Sequence, residues 1–282
     1  MDIVNRISRM RELVKDIKKE NKTIGFVPTM GCLHDGHLSL VTEARRMSDV
    51  VIVSIFVNPK QFGPNEDYEK YPRDITQDAD ILLKENVDYI FYPSADEMYP
   101  EIFKTYIDVA ELSNKLCGKS RPGHFRGVTT VVMKLLNIVQ PHFAFFGQKD
   151  AQQVIIIKRM IKDLNADVEI IALPILRDVD GLALSSRNLY LNEEERKAAV
   201  LIFRSLQQAH KSIKNGEKRS NKLMQEIKKC IETEPLAKID YVEMVELDNL
   251  NPVKSIEKSV LIALAVFIGK TRLIDNIIVE AK

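Results

Sequence analysis

Two histidines three residues apart lie in a glycine-containing stretch, Pro28-Thr29-Met30-Gly31-Cys32-Leu33-His34-Asp35-Gly36-His37. An apolar run at 23–27 reads as a strand before it. Residues 38–47 read as a helix after it, with Leu38, Val41, Ala44 and Arg45 at helical spacing. A strand, a Gly turn and a helix start offer free backbone N–H groups and the positive end of a helix dipole, which suit a phosphate. Gly31 and Gly36 have P-loop spacing, but His37 stands where a P-loop has Lys, and no Lys-Ser/Thr pair follows. If His37 begins the helix, both rings can face one anion and donate to its oxygens, more strongly if protonated. A tight turn with two ordinary polar histidines fits the bare pair equally well. A metal pair fits less well, because no third Cys or His ligand is close by. Cys32 lacks the Cys-His-Asn pattern of a thiol nucleophile.

Further candidates follow. Asn58 and Gln61, in a Gly/Pro loop after an apolar strand, are neutral donor-acceptors suited to a hydroxyl or carboxylate, or are solvated amides of a surface turn. Arg121-Pro122-Gly123-His124-Phe125-Arg126-Gly127-Val128 is a cationic turn opening onto an apolar helix. It reads either as a wall of an anion site or as a basic loop capping that helix. In Gly147-Gln148-Lys149-Asp150-Ala151-Gln152-Gln153, Lys149 could sit on a phosphate, and Asp150 could accept from a ribose or cap a helix. In Arg177-Asp178-Val179-Asp180-Gly181-Leu182-Ala183-Leu184-Ser185-Ser186-Arg187-Asn188, two hydroxyls beside an arginine can bind phosphate oxygens, and Gly181 lets the loop fold and move. A polar interdomain linker is the alternative.

The elements that must position these residues divide into two kinds. Ile3, Ile7, Met10, Val14 and Ile17 define an amphipathic first helix. Strands are expected at 50–57, 87–92, 106–109, 142–146 and 168–176, and helices at 74–85 and 128–139. Ile75, Ala79, Leu82 and Leu83 should share one side of the 74–85 helix, and Asp78 and Asp80 should be solvated charges on it. This alternation predicts an α/β fold, a Rossmann-like doubly wound parallel sheet, with ligands beyond the carboxyl ends of the strands. No Gly-x-Gly-x-x-Gly argues for a dinucleotide. The pattern changes near residue 176. Asn192-Glu193-Glu194-Glu195 has the form of a capping box before a helix of about 20 residues ending near Asn215-Gly216. A second helix at 220–232 and strands at 239–247, 260–268 and 272–279 complete a smaller C-terminal α+β domain. The expected domains are 1–175 and 176–282.

The pattern Pro-Thr-Met-Gly-x-Leu-His-x-Gly-His-x-x-Leu resembles the signature of the adenylate-forming HIGH superfamily and, in its full form, the pantothenate synthetase (pantoate–β-alanine ligase) family. The segments 57–63, 121–128, 147–153 and 184–188 are similar to further family elements in the same order. The resemblance implies a two-step ligase. Pantoate and ATP give pantoyl adenylate and pyrophosphate, and β-alanine then releases AMP and pantothenate. It implies ATP contacts at Met30, Gly31, Cys32, Leu33, His34, Asp35, Gly36, His37, Gly147, Gln148, Lys149, Asp150, Leu176, Leu184, Ser185, Ser186 and Arg187. Of these, His34, His37 and Lys149 would be catalytic. Gln61 and Gln153, with Asn58, would bind pantoate and β-alanine. Mg²⁺ would be held mainly by ATP phosphates, with Asp78 as a lesser contributor. A C-terminal domain closing over the site and a homodimer are also implied.

Composition narrows the classes. A net charge of +1 over 282 residues gives no general pull toward nucleic acid or membrane. Residues 1–11 have no hydrophobic signal core, and the longest plainly apolar run, nine residues at 260–268, is too short to span a bilayer. Three scattered cysteines suggest no disulfide framework, so a cytoplasmic setting is expected. Two other classes remain open: a nucleotidyltransferase of the same superfamily, and a non-enzymatic nucleotide sensor. The first would want more cations where Gln61 and Gln153 stand, and the second needs no loop such as 58–63. A tRNA synthetase would need an appended basic or coiled-coil domain.

Overall fold

The computed structural model describes residues 1–64 and 66–280, so Asn65 of the Asn58 loop lies outside the described residues. In chain order the elements are β1 (Asp2–Val4), α1 (Ile7–Lys19), β2 (Ile24–Thr29), α2 (Asp35–Met47), β3 (Val50–Ile55), α3 (Ile75–Lys84), β4 (Tyr89–Phe91) and α4 (Ala95–Met98). Then come α5 (Cys117–Ser120), α6 (His124–Val139), β5 (Phe143–Gly147), α7 (Ala151–Asp163) and β6 (Glu169–Leu173). The last elements are α8 (Glu193–Lys214), α9 (Ser220–Ile231), β7 (Ala237–Glu246), β8 (Val260–Ile268) and β9 (Thr271–Val279).

Among the described residues, β1 to β6 form one parallel sheet in the order β1-β4-β3-β2-β5-β6. β3 is buried along its whole length, which is why its sequence does not alternate. Val27, Val51, Val53 and Phe145 of the sheet pack with Leu40, Val41 and Ala44 of α2 and Leu82 of α3. α6 packs on α1 and on β2. The chain reverses its direction of travel across the sheet between β2 and β5, so the ends of these two strands flank the switch point where open α/β sheets bind ligands. Met30 follows β2, and Gln148 follows β5.

β7, β8 and β9 form an antiparallel sheet, with α8 and α9 over it. Leu206, Ile202, Leu223 and Ile227 of these helices share a core with Ile262, Leu264 and Val266 of β8. The capping box is present: Asn192 accepts from the Glu195 N–H while Glu195 accepts from the Asn192 N–H. Contacts divide the chain into two compact units. One comprises Met1–Ser113, Arg121–Gln148 and Ile156–Pro174, and the other Asn114–Ser120, Lys149–Ile155 and Ile175–Lys282.

Four expectations need correction. Ile3 belongs not to the first helix but to an edge strand paired with β4, because Asp2–Val4 finds open backbone partners there. Residues 106–109 form no strand. Thr129 and Thr130 of α6 bond the Ile107 carbonyl and N–H through their hydroxyls, so that backbone is satisfied without a sheet. On the 74–85 helix, Leu82, Ile75 and Ala79 face the core and Asp80 is exposed as expected, but Leu83 is 57% exposed and Asp78 only 2%. The alternation expected through Ile239 and Tyr241 is broken by a bulge at Asp240, whose carboxylate accepts from Ser120 and Arg272.

Candidate active site

The turn after β2 is built by hydrogen bonds that its own letters do not announce. Gly31 has φ +81°, and a Cβ there would lie 2.7 Å from the Asp78 carboxylate. That closeness lets Asp78 accept from two successive amides, Cys32 N–H (2.9 Å) and Leu33 N–H (2.9 Å). Asp78 is therefore no solvated helix charge. Each of its oxygens accepts one amide of the turn, which leaves each a second lone pair. Burial pushes the Asp78 carboxyl above its ordinary value, against the two amides that lower it. Cys32 is held at φ +52°, and burial, together with the nearby Asp78 charge, raises its thiol, which disfavours a thiolate nucleophile.

α2 begins at Asp35, not His37. His34 is its N-cap, and the two imidazoles form a reciprocal capping box. His34 Nδ1 accepts from Gly36 N–H (3.1 Å), and His37 Nδ1 accepts from His34 N–H (3.3 Å). The rings take the places that Ser/Thr and Glu hold in ordinary capping boxes. With each Nδ1 an acceptor, the N–H of each neutral ring is at Nε2. The ring centroids are 4.1 Å apart.

In the same unit, Asn58 is 1% exposed and fully engaged. Its Nδ2 donates to Gln61 Oε1 (3.0 Å) and to the Gly127 carbonyl (3.1 Å), and its Oδ1 accepts from Tyr99 Oη–H (2.8 Å) and Lys60 N–H (3.2 Å). Asn58 was expected as a substrate contact, but its bonding capacity is spent on orienting Gln61. Gln61 Oε1 accepts from Asn58, and Gln61 Nε2 donates to Met30 Sδ at 3.0 Å. The Arg121 turn is likewise no open anion wall. Arg121 pairs with Glu66 through two hydrogen bonds, and His124 Nδ1 donates to the Gln61 carbonyl at 2.8 Å. Gly127, one turn into α6, lets the helix touch the Lys60–Gln61 backbone, where a Cβ would lie 2.1 Å from the Lys60 carbonyl oxygen. A cavity of about 560 Å³, reaching Met30, Gly31, Phe56, Tyr68 and Tyr92, opens beside the turn.

The second unit holds the other candidates. Lys149 and Asp150 lie in the turn Gln148–Asp150, and Gln153 is half-buried in α7. Gln152 beside it is buried, donating to the Lys115 carbonyl and accepting from Cys117 N–H. Leu176 is 41% exposed. Residues 176–184 fold back on themselves, Leu184 N–H donating to the Leu176 carbonyl and Asp178 N–H to that of Leu182. Ser185 then caps the turn Ser186–Tyr190, which carries Arg187, by accepting from the Arg187 N–H.

The model of the family described as pantoate-beta-alanine ligase matches residues 2–278. This chain belongs to that family. A pantothenate synthetase of Caldicellulosiruptor bescii is 57% identical over 282 residues, all of both chains. One from Thermosipho africanus is 55% identical over 279 residues, 99% of this chain and 100% of that one. The crystal structure of pantothenate synthetase from Thermus thermophilus superposes with a TM-score of 0.93 at 40% identity, covering 98% of this chain and 99% of that one. The pantoate-beta-alanine ligase of Francisella tularensis, solved with beta-gamma ATP and beta-alanine, gives 0.81 at 41% identity, covering 98% and 97%.

Reading the family motifs alone passed over Tyr99, Glu66, Arg177, Asp275 and Asn276. A signal existed for the last two: an Asp-Asn pair inside the apolar strand Leu273-Ile274-Asp275-Asn276-Ile277-Ile278. Glu66 and Tyr99 carry no local signal, because their partners are 55 and 41 residues away.

Proposed function

We propose that this chain joins (R)-pantoate to β-alanine at the expense of ATP, giving pantothenate, AMP and pyrophosphate through pantoyl adenylate. The observation that carries the reading is the double-imidazole cap after β2, with a Gln61 amide held between Asn58 and Met30 beside it. In the first step a pantoate carboxylate oxygen bonds to the α-phosphorus, and the bond from that phosphorus to pyrophosphate breaks. Such a transfer needs placement and charge neutralisation more than a protein nucleophile. The Nε2–H groups of His34 and His37 donate to phosphate oxygens. Lys149, Ser185, Ser186 and Arg187 neutralise the leaving pyrophosphate. Met30 through Gly36, Gly147, Gln148, Asp150, Leu176 and Leu184 line the nucleotide. Gln61 and Gln153 hold the pantoate carboxylate and hydroxyls without a competing positive charge. In the second step the β-alanine amine attacks the acyl carbon, the acyl–phosphate oxygen bond breaks, AMP leaves, and the new amide loses a proton.

Magnesium would enter with ATP as part of the substrate and would neutralise phosphate charge. Asp78 contributes by holding the turn. The domain reading, 1–175 for ATP and pantoate and 176–282 as the smaller partner, belongs to this proposal, as does a homodimer to be sought by sedimentation velocity. The three thiols Cys32, Cys117 and Cys230 suit a reducing cytoplasm, and no helix among the described residues is long and apolar enough to cross a membrane.

The test is AMP and pyrophosphate release from purified protein with Mg-ATP and D-pantoate, with and without β-alanine. Sustained AMP release only with both substrates is expected. Pyrophosphate without AMP, with another acceptor, would make the chain a nucleotidyltransferase. ATP binding with no turnover would make it a sensor. His37→Ala and Lys149→Ala are each expected to slow adenylate formation by roughly 10²–10³-fold. A near-wild-type rate removes that residue from the site.

A further inference from the structure

β9 carries two neighbouring polar residues, Asp275 and Asn276, each only 3% exposed. Buried polar groups persist in a strand when they are bonded, and both are. Asp275 receives Arg177 in a two-pronged pair, Nη1 to Oδ2 at 2.6 Å and Nη2 to Oδ1 at 2.8 Å. It also accepts the Asn276 N–H at 2.7 Å. Arg177 Nη1 reaches the Gly181 carbonyl (3.1 Å), and its guanidinium lies 3.8 Å from the centre of the Phe203 ring. Gly181 has φ +96°, and a Cβ there would lie 2.3 Å from the same ring, so the loop base closes tightly only with glycine. From the other face of the strand, Asn276 Nδ2 donates to the Lys149 carbonyl at 2.9 Å. β9 also packs on the Ser186–Tyr190 turn. One strand thus grips the backbone of the Lys149 turn and, through Arg177, the base of the loop leading to Ser185 and Arg187.

We propose that Asn276 is a positioning residue for Lys149, and that Asp275 with Arg177 ties this position to the Ser185–Arg187 loop, so that the ammonium, hydroxyls and guanidinium are presented as one preset group to the anion of the adenylation step. The inference rests on the function proposed above. A fixed carbonyl sets the Lys149–Asp150 peptide plane and hence the direction in which the lysine side chain leaves the backbone. A displacement of about 1 Å in such a group can cost on the order of 10²-fold in rate.

The experiment is a double-mutant cycle in the full chain, read as single-turnover pyrophosphate release and, separately, as aminolysis of supplied pantoyl adenylate. Asn276→Ala is expected to slow adenylation roughly 10–100-fold, with the KM for pantoate and the aminolysis rate little changed. Asn276→Leu, which refills the volume without the donor, is expected to be as slow. In the Lys149→Ala background, Asn276→Ala should cost nothing further. Multiplying effects in the double variant would overturn the inference, as would recovery of the rate by Asn276→Leu or equal slowing of both half-reactions. A Lys149→Ala enzyme at wild-type rate would overturn the assignment of Lys149, and this inference with it. That result appears in a single variant and so is distinct from failure of the cycle.

Discussion

Glu66 illustrates how single residues hold this site. Burial works to raise its carboxyl, but the Arg121 hydrogen bonds and charge outweigh it and keep the group below its ordinary value. A carboxylate depressed in the folded state adds stability above its unfolded value, about 4.3, and loses it as pH falls through the folded value. The stability gap between wild type and Glu66→Gln in urea is therefore expected to be constant from pH 7 to 5 and to shrink below about pH 4. A gap unchanged by pH would show that the pair adds nothing. Asp78 answers to a different balance. Asp78→Leu leaves the Cys32 and Leu33 amides without their acceptor, and a loss of about 1–3 kcal/mol is expected in urea unfolding. Adenylation should fall further than that loss explains, since the two imidazoles follow directly on this turn.

At the scale of elements, the meeting of α6 with the Lys60–Gln61 turn decides where Gln61 stands. Gly127 is tolerated in the first turn of α6 because its missing Cβ is replaced by the Lys60 carbonyl. Gly127→Ala should gain intrinsic helix propensity and still lose about 1–3 kcal/mol, because the turn must move aside. Since Gln61 moves with it, the KM for pantoate should rise while the KM for ATP stays near that of wild type. A variant more stable than wild type with unchanged KM would mean that the turn yields without cost. The double-histidine cap works at the same scale. The start of α2 and the orientation of both imidazoles are one structure, so replacing either ring should fray the first helical turn as well as remove a donor.

For the whole molecule, the parallel sheet places the β2 and β5 ends side by side. No cluster of three or more His, Cys, Asp or Glu among the described residues is arranged to hold a metal. Magnesium is then expected to act with ATP, not to support the fold. Excess EDTA should abolish turnover while shifting the unfolding midpoint by less than about 1 °C, whereas Mg-ATP should raise that midpoint. A large destabilisation by EDTA alone would reveal a structural metal.

The sequence by itself determined the alternation of strand and helix, the change to an α+β pattern near residue 176, the 192–195 capping box, and the five motif segments that point to the family. These are local or periodic features, carried by neighbours a few residues apart. Only the tertiary structure decided that Asp78 is buried under the Gly31 turn, that Asn58 holds the Gln61 amide oxygen, that Arg121 is engaged by Glu66, and that Asp275 and Asn276 of the last strand reach Arg177 and Lys149. Each of those roles belongs to a pair separated by 3 to 127 residues, most by more than 40. A carboxylate or amide looks the same in the chain whether water or a distant backbone group will satisfy it. The burial that makes the difference exists only once the sheet has formed.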